Sequence, residues 1–173
     1  RPIVFGNNDT PGVMLSSAAK EYLKVYGVLV GRTPLIFTNN DSGYETAIEF
    51  KKNNINPIIL DTRKDPQSEI VNEAKNLGID IKFSHVVVAA QGYKKVKSAD
   101  IAKISDDKEK LGVVENIKCD CICVSGFWTP TIHLASQSGN KTKFNEDIDA
   151  FVPGVSKQNE TTLGAANGSY SLE

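Results

Sequence analysis

Short apolar runs alternate with helix-spaced stripes through the first half of the chain, a pattern that predicts a parallel sheet with crossover helices. Leu35-Ile36-Phe37 reads as a strand, Thr38 to Ser42 as a polar turn, and Tyr44, Ala47 and Ile48 as one face of a helix. Pro57-Ile58-Ile59-Leu60-Asp61 is a continuous run, as expected of a strand covered on both faces. Together these segments form a βαβ unit. Upstream, Ile3 to Phe5 reads as a strand end and Gly6 to Gly12 as a loop dense in turn formers. Ala18, Ala19, Tyr22, Leu23 and Tyr26 then fall at helical spacing, with Gly27 placed to end that helix. Downstream, Asp65-Pro66 predicts the start of a second crossover helix, Asp as cap and Pro at the first helical position. Its buried stripe is Ile70, Val71, Ala74 and Leu77, and Gly78 closes it. Ile79, Ile81 and Phe83 alternate with polar neighbours as a third strand.

From Ser84 to Val124 the rhythm changes. His85-Val86-Val87-Val88 and Val96 to Ile104 predict antiparallel strands, joined by turns at Gln91-Gly92 and Asp106-Asp107. Cys121 to Ser125 returns to a buried strand that ends in the Gly126 turn. The stretch beyond Phe151, rich in Gly and Ser, has too few apolar residues to order itself alone. The expected fold class is α/β, a Rossmann-like doubly wound parallel sheet carrying an antiparallel β-meander.

Composition narrows the class further. With 173 residues, 40% hydrophobic and 24% charged, the chain can bury a real core without disulfides or metal. A net charge of −1 with interspersed signs gives no nucleic-acid or anionic-membrane surface. No apolar run is long enough for a membrane-spanning helix. The start at Arg1-Pro2-Ile3, without Met or a signal pattern, predicts a segment cut from a longer protein, with Leu172-Glu173 either native or a cloning scar. The three cysteines, all within 119–123, do not look like a disulfide framework, which favours a reducing, cytoplasmic setting.

The candidate chemistry lies in the turn after the first strand of the βαβ unit. A dinucleotide-binding turn reads G-x-G-x-x-G. Here those positions hold Thr38, Asn40 and Gly43, so only the glycine that lets helix and strand pack closely is kept. Asn40 could hold a left-handed backbone, yet its side chain stands where a phosphate would lie. The helix N-terminus offers free N–H groups, although Asp41 beside it could cap them and would repel an anion. Asp61 closes the next strand where a ribose-binding carboxylate belongs, and Arg63 could meet a ribose phosphate or be an ordinary surface charge. The preferred reading is a Rossmann-shaped domain that has lost its ligand. NAD held by altered contacts, or another small ligand, are the alternatives.

Other groups point to no site. Cys119, Cys121 and Cys123 alternate and are expected on one face of a strand as small apolar fillers. His85 and His133 are expected to make structural hydrogen bonds, and Glu146, Asp147 and Asp149 to form a solvated face.

Three stretches together resemble one family. Val4-Phe5-Gly6-Asn7-Asn8-Asp9-Thr10-Pro11-Gly12-Val13-Met14-Leu15-Ser16-Ser17-Ala18 resembles the linker by which that family's FAD-like domain passes into its NAD-like domain. Phe37-Thr38-Asn39-Asn40-Asp41-Ser42-Gly43-Tyr44 resembles its degenerate dinucleotide turn. Val124-Ser125-Gly126-Phe127-Trp128-Thr129-Pro130-Thr131-Ile132-His133-Leu134, followed by Gln137-Ser138-Gly139, resembles its return strand. The family is the alpha subunit of heterotetrameric sarcosine oxidase, with related opine and cyanide-forming dehydrogenases behind it.

The resemblance implies an architecture like that of pyridine nucleotide-disulfide reductases. Residues 1–30 would be a linker and the end of an FAD-like domain, 31–110 the NAD-like domain with its meander, and 111–173 the return to the FAD-like domain. It implies a complex of four different subunits carrying FAD, FMN and NAD, which oxidises sarcosine, passes electrons to oxygen and hands a one-carbon unit to tetrahydrofolate. Sarcosine and tetrahydrofolate would be met by parts outside this chain, and the ferredoxin-like start and first glycine-rich turn are also missing here. Residues of this chain would only complete a cofactor site: Thr38, Asn39, Asn40 and Asp61 at the turn, Gly126 and Trp128 on the return strand, with Met14 and Leu15 near the linker. No catalytic residue and no metal ligand is expected, and the chain by itself is expected to hold no cofactor. A subunit of another FAD- or NAD-dependent amine or opine dehydrogenase, or a non-catalytic assembly module, would share the fold; the module predicts an exposed apolar patch.

Overall fold

A computed structural model describes residues 2–107 and 109–170; the closing Leu172-Glu173 lie outside the described residues. The chain divides into two units, Arg1–Phe127 and Trp128–Glu173.

The first unit is built on five parallel strands in the order β1-β8-β2-β3-β4: β1 (Val13–Leu15), β2 (Pro34–Thr38), β3 (Ile58–Asp61), β4 (Asp80–Phe83) and β8 (Cys121–Ser125). Between β4 and β8 lies the antiparallel meander of β5 (His85–Gly92), β6 (Val96–Ile104) and β7 (Leu111–Lys118). Helices α1 (Ser16–Tyr26), α2 (Ser42–Lys52) and α3 (Glu69–Asn76) connect the parallel strands. All five residues of β2 and of β8 are buried, which explains their unbroken apolar reading.

Alternate residues of the sheet serve two cores. Leu35, Phe37, Leu60, Ile122 and Val124 face the meander, packing with Phe5, Val87, Ala99 and Ile101. Ile36, Ile59, Cys121 and Cys123 face the helices, packing with Ala19, Ala47, Phe50, Val71 and Ala74. Helices therefore cover one face while the meander covers the other, in place of the second helix layer of a doubly wound sheet. The Rossmann-like α/β class with an antiparallel meander is as expected.

Several local expectations change. Cys119 packs in the meander-side core, opposite Cys121 and Cys123, because it precedes β8 and Asp120 turns the chain between them. The Asp120 carboxylate accepts the Arg32 and Thr33 amides at 2.7 and 2.9 Å, pinning the entry to β2. The second crossover helix starts at Glu69, after Ser68, and not at Asp65-Pro66. Proline biases the residue before it towards extended backbone, and the first helical bond is Asn72 N–H to Ser68 C=O. Gln91-Gly92 end β5 in an irregular register, and the turn itself lies at 93–95. Ile3 to Phe5 make no strand; beyond them Gly6 bridges Ala89 of β5. β1 and β8, which lie on either side of residues 31–110 in sequence, pair side by side within the same sheet.

The second unit holds α4 (His133–Gln137) and a hairpin of β9 (Thr142–Asn145) and β10 (Ala150–Pro153), in which Phe144 and Phe151 meet edge-on at 5.3 Å. The Gly- and Ser-rich stretch beyond Phe151 contains a 3-10 turn, Gly164–Asn167. Among the described residues no helix is long and apolar enough to cross a membrane.

Candidate functional site: a closed dinucleotide turn

The carboxyl ends of β2, β3 and β8 lie in register, with Thr38 beside both Asp61 and Ser125. β2 is followed in sequence by β3 on one side and flanked by β8 on the other, so the strand order, with every strand still parallel, reverses between β2 and β8. In an open α/β sheet that crevice takes the ligand. Here it is filled by the chain's own side chains.

Asn40 occupies the crevice. Its amide nitrogen donates to Gly126 O at 2.7 Å and to Ser125 O at 3.3 Å, while its Oδ1 accepts Ser42 N–H at 3.0 Å and the Ser42 hydroxyl at 2.6 Å. Asn40 thus caps α2 and ties it to the end of β8. It does not take the left-handed backbone that the sequence suggested, because those side-chain bonds fix the turn. Asp41 does not cap the helix either; its carboxylate lies 2.8 Å from Arg63 Nη1. Thr38 Oγ1 donates to Asn40 O and accepts Asn40 N–H, closing the turn from within. Asn39 N–H reaches Ser125 O at 3.3 Å, and its side chain accepts from Asn40 at 2.9 Å. The Ser42 and Ser125 hydroxyls are 2.7 Å apart.

Gly43 behaves as the packing glycine should. A Cβ there would stand 2.7 Å from both Cβ and Oγ1 of Thr38. Gly43→Ala is expected to cost about 1–3 kcal/mol by overpacking, read as a lower urea midpoint. An unchanged midpoint would show that helix and strand have slack here.

The ribose position is also taken. Asp61 is fully buried, and its carboxylate accepts the Tyr44 hydroxyl at 2.6 Å, the Arg63 amide at 2.9 Å, and Arg63 Nε and Nη2 at 3.1 and 2.8 Å. The Arg63 guanidinium stands 5.9 Å from the centre of the Tyr44 ring. Burial and the Asp61 carboxylate both hold the Tyr44 hydroxyl protonated well above the usual tyrosine range. Although burial disfavours its charge, Asp61 and Asp41 more than offset this and raise the Arg63 pKa. A carboxylate engaged in this way has no acceptor sites left for ribose hydroxyls.

No family model matches the chain. The sarcosine oxidase alpha subunit of Corynebacterium sp. (strain P-1) is 33% identical over 172 residues, 98% of this chain and 18% of that subunit. The same subunit of Rhizobium meliloti (strain 1021) is 35% identical over 168 residues, 96% of this chain and 16% of the subunit. The chain is homologous to one stretch of the sarcosine oxidase alpha subunit. It spans less than a fifth of those relatives' length. Among solved structures, bacillithiol disulfide reductase from Staphylococcus aureus superposes with a TM-score of 0.65 at 16% identity, over 91% of this chain and 45% of that one. Thioredoxin reductase from T. acidophilum gives 0.64 at 15%, over 96% and 58%. At such identities the likeness is one of fold, that of the pyridine nucleotide-disulfide reductases.

The remaining candidate residues of the chain are spread out. Met14 and Leu15 pair with Cys123 and Val124 and help line a cavity of about 300 Å³ with Ile3, Val13 and Val124. Trp128 belongs to the second unit, its ring 6.0 Å from that of Tyr170. His85 makes a structural bond, Nδ1 to Phe83 O at 2.6 Å, and His133 opens α4 with its side chain exposed. Glu146, Asp147 and Asp149 lie in the exposed β9–β10 turn. Burial pushes the Cys119 thiol up to about 12, so it stays protonated and unreactive at neutral pH. Sequence reading missed Tyr44 and Ser42 as members of the site. Tyr44 fitted a helical apolar stripe, and only its hydroxyl, which periodicity ignores, reaches Asp61.

Proposed function

We propose that the chain is the NAD-like domain, with the start of the return into an FAD-like domain, of an alpha subunit in a flavin-dependent amine oxidoreductase that oxidatively demethylates sarcosine. Its whole complex would use FAD, FMN and NAD, pass electrons to oxygen, donate the one-carbon unit to tetrahydrofolate, and work in the cytoplasm with other sarcosine oxidase subunits. The near full-length match of this chain to sarcosine oxidase alpha subunits supports the assignment. Within it, this domain is a closed, non-catalytic module: the residues at the dinucleotide turn, Thr38, Asn39, Asn40, Asp61 and Gly126, serve one another.

The observation that carries the closed-module reading is the saturation of Asp61 by Arg63 and Tyr44 together with the Asn40 bridge to Gly126. Calorimetric titration of the chain with NAD is expected to show no binding tighter than ~100 μM. Tighter binding would overturn the closed site and favour NAD held by altered contacts. The parent assignment has a separate readout: the complete subunit, assembled with its partners, should consume oxygen when given sarcosine. Turnover of another secondary amine with none of sarcosine would point to a related amine or opine dehydrogenase.

A further inference from the structure

In the second unit, Gly168 follows the 3-10 turn Gly164–Asn167 in left-handed backbone, with φ of 86°. A Cβ there would stand 2.7 Å from Ile148 Cδ1 and 3.2 Å from Val152 Cγ1. Bare backbone therefore seats the segment 164–170 against the β9–β10 hairpin, and only glycine suits both the conformation and the space. Past that seat, the Tyr170 ring lies 6.0 Å from the ring of Trp128, the chain's single tryptophan.

The same glycine makes the residue before it reactive. Among the chain's asparagines only Asn167 precedes a glycine; every other is followed by a residue whose side chain crowds the next backbone nitrogen. Asn167 is exposed, and no hydrogen bond ties its side-chain amide to another of the described residues. The bond from Gly168 N–H to Ala165 O is long, 3.3 Å, and the turn that it closes spans only four residues. Such a turn opens at little cost, and once it is open the Gly168 nitrogen can reach Asn167 Cγ.

We propose that Asn167–Gly168 is a site of spontaneous deamidation, and that its isoaspartate product unseats the segment 164–170 from the hairpin. The Gly168 amide nitrogen gives its proton to solvent base and bonds to Asn167 Cγ. The Cγ–Nδ2 bond breaks, and the side-chain amide leaves as ammonia. Water then opens the cyclic imide at either carbonyl, giving aspartate or isoaspartate with no oxidation or reduction. Aspartate keeps the original main chain. Isoaspartate adds a methylene to it just before Gly168, which carries that residue out of a slot that admits no Cβ. The site lies outside the nucleotide turn and is independent of whether that turn is closed.

Incubation of the folded chain at mildly alkaline pH, followed by peptide mapping in a mass spectrometer, tests the proposal. Asn167 should lose its amide at least ~10-fold faster than any other asparagine, and no more than ~10-fold slower than in the urea-unfolded chain. Trp128 emission should change in step with isoaspartate at 167, because the segment that brings Tyr170 beside it departs. Asn167→Gln, whose longer side chain cyclises far more slowly, should abolish both changes. Asn167→Asp, which adds the charge without the methylene, should keep the emission of the fresh chain. An Asn167 that stays intact while the unfolded chain deamidates overturns the site, since the turn then holds the Gly168 nitrogen out of reach. Isoaspartate formation with unmoved Trp128 emission overturns the unseating. An emission change that persists in Asn167→Gln assigns it to another event and equally overturns it.

Discussion

Replacing Asp61 with alanine is expected to destabilise the first unit by about 3–5 kcal/mol, the cost of removing one partner from a buried ion pair. The change strips the Tyr44 hydroxyl and two guanidinium nitrogens of Arg63 of their acceptor at once. The Arg63 side chain is 31% exposed and keeps Asp41, so part of its loss is recovered and the lower end of the range is expected. Tyr44 has no such escape, being fully buried. Asp61→Asn, which can still accept from Tyr44, should cost less, about 1–2 kcal/mol. Urea unfolding followed by fluorescence measures both. A loss below ~1 kcal/mol for Asp61→Ala would mean that the network is not holding β3 to α2. The pH dependence has a definite sign. The Tyr44 pKa is raised on folding, so its contribution is fully present below the unfolded value of about 10 and is lost as pH rises past it. Tyr44→Phe should flatten that alkaline loss.

The second large effect is a gain. Asn40→Gly combined with Arg63→Ala is expected to create NAD affinity where the unaltered chain shows none, bringing Kd below ~100 μM, at least tenfold tighter than before. Asn40→Gly clears the crevice beside Gly126, and a glycine costs only a few tenths of a kcal/mol as a helix cap. The freed amides of α2 can then face a diphosphate. Arg63→Ala leaves Asp61 with vacant acceptor sites that ribose hydroxyls can fill. Thr38 remains, and its side chain packs on Gly43, so recovery of a full-strength site is not expected. The double variant will be less stable when empty, and NAD should raise its melting temperature because it binds only the folded form. A folded double variant with no calorimetric response at about 1 mM NAD would show that something other than these two side chains keeps the nucleotide out.

The fold was legible in the sequence where a single physical signal dominates. Continuous apolar runs located β2, β3 and β8, and Gly27 and Gly78, both with left-handed backbone, ended their segments as read. Reading failed where two local rules competed. Asp65-Pro66 carries a sound helix-start signature, yet the chain stays irregular until Ser68. Strict alternation put three cysteines on one face, which holds only while the strand continues, and Asp120 interrupts it. The candidate site was half legible. The loss of two glycines showed that a diphosphate would meet side chains at 38 and 40. What those side chains do instead depends on partners far along the chain, Ser125 and Gly126 for Asn40, and on the reach of the Arg63 guanidinium. Neither spacing nor composition carries that information.

Strand β8 comes last of the five yet lies between β1 and β2, pairing Cys121 with Pro34 and Ile122 with Val13. During synthesis the ribosome must therefore release the whole meander before the middle of the sheet can close. Until then β1 has no neighbouring strand, and the β2 edge stays unpaired while Ile36 and Phe37 wait for their cover. Such a late, long-range insertion makes for slow folding and for a nascent chain that is vulnerable to aggregation or chaperone capture. A polypeptide halted before Cys121 would lack the one strand that makes two half-sheets into a single layer.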